Sequence, residues 1–82
     1  MFKKFFRNRI QKDISKLEEA RKRCITVMHS KGLSENEMTQ VDEIAHKKAS
    51  IEYMNSPNIQ KTLQVYFKSL QEEALKKGYD IS

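Results

Sequence analysis

Two sets of side chains in this sequence are of types that do chemistry. The first is reactive: Cys24, the histidines His29 and His46, and the acidic neighbours Asp42 and Glu43. A thiolate beside a base makes a nucleophile, and a cysteine–histidine cluster makes a metal centre. One cysteine and two histidines without close ligand spacing supply neither. Cys24 reads as a small, buried, inert hydrophobe in an apolar seam. Arg21 and Arg23 would activate it only if the thiol were exposed, and no catalytic partner stands beside it. Asp42 and Glu43 read as a solvated helix face, because general acid or base work needs a pocket around them. Glycine-rich phosphate loops, nucleophile elbows and His-Glu zinc motifs are absent. The sequence therefore assigns no catalytic residue, metal or cofactor, and reads as non-enzymatic.

The second set binds. Residues 1–12 carry five cations (Lys3, Lys4, Arg7, Arg9 and Lys12) and no acid, together with Phe2, Phe5, Phe6 and Ile10. Aromatics rimmed by charge mark protein-binding surfaces. Phe2, Phe5, Phe6, Arg7 and Arg9 are the expected contacts, with Lys3 and Lys4 steering an acidic or groove-bearing protein partner. The alternative is an anionic membrane surface or a nucleic-acid backbone met through nonspecific phosphate contacts. Sequence-specific DNA reading is not expected, because the second helix opens on Glu35-Asn36-Glu37, which repels phosphate. In the plainest reading, Phe5 and Phe6 cap the bottom of a bundle over Tyr53 and Ile59.

The elements that must position these residues are helical. Eighty-two residues make one domain. Glu, Lys, Gln, Leu, Met and Ala favour helix, and no alternating β-branched run occurs. Charge is uneven: residues 1–31 hold ten Lys/Arg against three acids, giving +7, while residues 32–82 hold six against eight, giving −2. A single cysteine excludes an intrachain disulfide and suits a reducing compartment, so the expected location is cytoplasmic, with peripheral membrane contact as the variant. No apolar run is long enough to span a membrane, and the N-terminus lacks the features of a secretory signal.

The first helix is predicted over about residues 2–29. Ile10, Leu17 and Cys24 repeat every seven residues, a short coiled-coil-like seam that suits a homodimer. It stops at Gly32, expected in a left-handed conformation. The second helix, about 35–54, opens on a full entry signal, with Ser34 as N-cap, Glu37 completing a capping box and Leu33 positioned to staple onto Met38. Its stripe is Met38, Val41, Ala45 and Ala49, flanked by Ile44 and Ile51. The third helix, about 57–77, is predicted to start with Ser56 as N-cap and Pro57 in its first turn. Ile59, Leu63, Tyr66, Leu70 and Ala74 form its stripe, Gly78 follows its end, and Asp80 to Ser82 are expected to fray.

Short turns join these helices, so the fold class is all-α, an antiparallel up-down-up three-helix bundle with a long first helix. At 1.5 Å per residue the first helix is roughly 40 Å long and the others roughly 30 Å, which leaves its first turns projecting beyond the bundle. Leu17-x3-Arg21-x2-Cys24-Ile25-x-Val27-x4-Gly32-Leu33-Ser34-x3-Met38 is similar to the helical hairpin of the sporulation aspartyl-phosphate phosphatases. That family carries a Ser-Gln-x-Leu-Asp signature on its second helix. The aligned residues here are Asp42, Glu43, Ile44, Ala45 and His46, so the resemblance implies a hairpin and transfers no active site.

Overall fold

The computed structural model describes the backbone of residues 2–82 and the side chains from residue 9 onward. It contains three helices and no strand among the described residues: α1 (Phe2–Ser30), α2 (Glu35–Asn55) and α3 (Ile59–Lys76). Their packing, closest between α2 and α3, is compatible with a helical bundle. None of the helices is long and apolar enough, over the described residues, to cross a membrane.

Local chemistry sets the boundaries. Gly32 (φ 96°) ends α1, and two backbone bonds close the turn around it, Gly32 N–H to His29 O at 3.1 Å and Leu33 N–H to Met28 O at 3.2 Å. Only glycine takes that conformation without a Cβ clash. Gly78 (φ 93°) repeats the device after α3, with Tyr79 N–H bonded to Ala74 O at 3.0 Å. The capping box is formed: Glu37 N–H donates to Ser34 Oγ at 3.2 Å, and Ser34 N–H donates to Glu37 Oε1 at 2.9 Å. The carboxyl of Glu37 is held below its usual range, first by that backbone bond.

The start of α3 differs from the expectation. Asn58, not Ser56, is the N-cap, its Oδ1 accepting from the N–H groups of Gln60 and Lys61 at 3.1 and 3.3 Å. Ser56 instead closes α2, donating its N–H to Glu52 O at 2.9 Å. The side-chain carbonyl of Asn58 reaches two amides that Ser56, still held by the preceding helix, does not reach, so Pro57 lies in the connection rather than in α3.

The core joins α2 to α3 most closely. Met38, Val41, Ala45 and Ala49 of α2, the stripe read from the sequence, meet Tyr66, Leu70 and Ala74 of α3, with Met28 and Leu33 closing one end. Alanines at these positions let the two backbones approach. Helix α1 contributes less: Met28 and Ala20 are buried and Leu17 and Cys24 half-buried, while Ile10, Ile14, Ile25 and Val27 are exposed. Ile44 and Ile51 of α2 are also exposed, because no second neighbour covers that flank among the described residues. The C-terminus is better held than expected. Ile81 packs against the core, Tyr79 OH donates to Glu37 at 3.2 Å, and Ser82 N–H bonds Asp80 at 3.1 Å.

Candidate functional site

Along α1 and α2 runs a groove in two parts that share Arg21, the first of them also lined by Ile59 and Thr62 of α3. The part nearer the α2–α3 turn has a volume of about 390 Å³ and includes Asp13, Ile14, Leu17, His46, Tyr53 and Met54 in its walls. The other part, about 440 Å³, is walled by Ile25, Met38, Thr39, Glu35, Asp42 and Glu43 beside Arg21. Arg21 spans the groove at its middle. Its Nη2 donates to Asp42 Oδ2 at 2.7 Å, its Nε to Asp42 Oδ1 at 3.3 Å and its Nη1 to Glu18 Oε1 at 2.8 Å. Tyr66, fully buried on α3, donates its hydroxyl to the same Asp42 Oδ1. One carboxylate thus ties together all three helices. Nearer the α2–α3 turn, Tyr53 OH donates to the buried Asp13 at 2.5 Å, and Arg9 Nη2 donates to Pro57 O at 3.4 Å.

Asp42 corrects the sequence reading most sharply. Expected on a solvated face, it is buried, because α2 turns it toward Arg21 and Tyr66 instead of toward water. Burial pushes its carboxyl up, but the hydrogen bonds from Arg21 and Tyr66 outweigh that and hold it below the usual range. The partners move oppositely: bonding to Asp42 raises Arg21 despite desolvation, and burial followed by the Asp42 bond raises Tyr66. Three donors from two other helices meet Asp42, two on Oδ1 and one on Oδ2, so the group works as a clip between helices. Glu43 is exposed as expected.

Cys24 is half-buried rather than buried, and burial, then the charge of Asp42, pushes its thiol up. That is opposite to the shift an activated nucleophile needs. Among the described residues, no group of three His, Cys, Asp or Glu side chains is placed to hold a metal ion.

Of the seven residues expected to contact a partner, Arg9 is exposed at the α2–α3 turn. The side chains of Phe2, Lys3, Lys4, Phe5, Phe6 and Arg7 lie outside the described ones, as does the contact of Phe5 and Phe6 with Tyr53 and Ile59. In the proposed seam, Ile10 is exposed while Leu17 and Cys24 are half-buried against the core. Sequence reasoning missed the Arg21–Asp42–Tyr66 cluster and the Asp13–Tyr53 pair. The available signal was spacing: Asp42 follows Met38 by four residues and precedes Ala45 by three, which puts it on the buried face of α2.

No protein-family model, no curated protein and no solved structure matches the chain.

Proposed function

We propose that this chain is a small non-enzymatic binding and regulatory module that acts by docking onto a partner protein or occluding a site on it. The α2–α3 pair is the scaffold and α1 the contact element, with Phe2, Lys3, Lys4, Phe5, Phe6, Arg7 and Arg9 meeting the partner. The observation that carries this reading is the uncovered apolar edge of α1. Ile10, Ile14 and Ile25 face solvent along one side of the helix that also holds the excess of positive charge, and Val27 is exposed on another face of it. An apolar edge that begins among the exposed cations Arg9, Lys12 and Lys16 fits an acidic, groove-bearing protein there: burial drives association and the charges steer it.

The arrangement proposed for the molecule is a single up-down-up domain with antiparallel neighbours and a first helix that outruns the others. Supporting it, Asp13–Tyr53 and Arg21–Asp42 pair rising positions on α1 with falling positions on α2. Glu52–Lys61 and Gln40–Lys77 do the same for α2 and α3. Arg9 reaches Pro57, which supports a first helix that outruns the α2–α3 turn. The proposed setting is a reducing one, the cytoplasm, consistent with one unpaired cysteine.

The test is an affinity capture with the full chain and with residues 1–9 removed. Loss of the captured partner with helical circular dichroism retained supports docking. Collapse of the fold on deletion assigns the phenylalanines to the bundle itself, and unchanged capture refutes the reading. The five acid-free cations also favour a second reading, an anionic surface. It requires salt-sensitive co-sedimentation with anionic vesicles, or a gel shift at low salt for nucleic acid.

A further inference from the structure

The groove along α1 and α2 has a floor of Ile14, Leu17, Ile25, Met38 and Met54. Around it stand the exposed acids Glu18, Glu35 and Glu43, with Asp13 and Asp42 buried beneath and already bonded, against one cation, Arg21. Ile14 is 53% exposed and Met54 82% exposed, so the apolar floor opens to water at its edge. The shape and charge suit a helix with apolar residues on one face, several cations and no acid.

The chain contains such a segment. Phe2, Phe5, Phe6 and Ile10 recur at spacings of three, one and four, and the five cations of residues 1–12 are unopposed. This segment cannot reach the groove of its own molecule. It is continuous with α1 (Phe2–Ser30), the helix that forms one wall of that groove, and an unbroken helix does not turn back on itself. Only another molecule can bring it there.

We propose that two copies of the chain associate by exchange, the basic N-terminal turns of each α1 lying in the acidic α1–α2 groove of the other. Each copy gives one segment and receives one, so the two contacts are equivalent and the assembly closes as a two-fold dimer. The inference rests on the reading of the N-terminal turns as a binding element and names a second copy as their partner. It differs from pairing through Ile10, Leu17 and Cys24, because the acceptor is the groove and the acids around it.

A charge-swap cycle on the full chain tests it. One variant carries Lys3→Glu, Lys4→Glu and Arg7→Glu; the other carries Glu18→Lys and Glu43→Lys, both exposed in the native chain. Each variant alone sets like charges against each other at both contacts, whereas an equimolar mixture restores attraction at both. Sedimentation equilibrium is expected to show a native dimer, weakening of at least about tenfold for each variant alone, and recovery on mixing. Circular dichroism checks that the variants fold, and Ile14→Asp, at an exposed site, is expected to weaken the dimer independently. A monomeric native chain overturns the proposal, as does a dimer indifferent to both reversals or a mixture that stays monomeric. If the native chain is monomeric while the Lys3/Lys4/Arg7 reversal still abolishes capture of a cellular protein, the exchange fails and the docking reading stands. If neither dimerisation nor capture responds to that reversal, both fail.

Discussion

Replacing Asp42 by Asn is the most decisive single perturbation of this molecule. The carboxylate is 6% exposed and accepts from Arg21 twice and from Tyr66 once. Asn keeps the shape and can still accept from Tyr66, but its amide group then faces the Arg21 guanidinium, donor against donor. A broken buried ion pair costs about 3–5 kcal/mol. Here the Arg21 side chain is 29% exposed and keeps Glu18, so part of its charge returns to water. The expected loss is therefore about 2–3 kcal/mol. A chain of this size has a total of only about 4–12 kcal/mol, and Tm should fall by roughly 10–20 °C. Urea melts followed by circular dichroism measure the loss as a lower midpoint at unchanged slope. The pH profile adds an independent check. Because the folded chain holds Asp42 below its ordinary value, the unfolded chain takes up the proton first as pH falls. The stabilisation is thus complete above about pH 4 and is lost as pH falls further, through the lower folded value. Asp42→Asn should remove that part of the acid limb. A loss under about 1 kcal/mol, with an acid limb identical to the native one, would refute the clip assignment.

At the α2–α3 junction, Asn58→Ala should cost about 1 kcal/mol while Ser56→Ala is near neutral, since only Asn58 caps α3; equal losses in urea melts would contradict this. Because burial raises the Cys24 thiol, its alkylation by iodoacetamide near neutral pH should run slower than that of a free cysteine and speed up on unfolding; a rate at or above the free value would contradict its placement.

What the sequence determined by itself is the part governed by neighbours along the chain. The capping box at Ser34 and Glu37 and the glycine exits at Gly32 and Gly78 are local geometry, and each stands where residue type places it. The α2 stripe of Met38, Val41, Ala45 and Ala49 follows from helical period alone. Where two local signals competed, the outcome was less legible: Ser56 and Asn58 both suit a cap, and the finishing turn of α2 claimed the first. The tertiary structure alone decided the polar centre. Asp42 sits within the apolar stripe of α2, and nothing in its own segment reveals that Arg21, twenty-one residues earlier, and Tyr66, twenty-four residues later, converge on it. A buried carboxylate is tolerated only where donors from other elements meet it, so its role is fixed by packing. The groove has the same origin. Helix α1 carries apolar residues on more than one face, and only its shallow seating on the α2–α3 pair determines that Met28 and Ala20 are covered while Ile14 and Ile25 remain open.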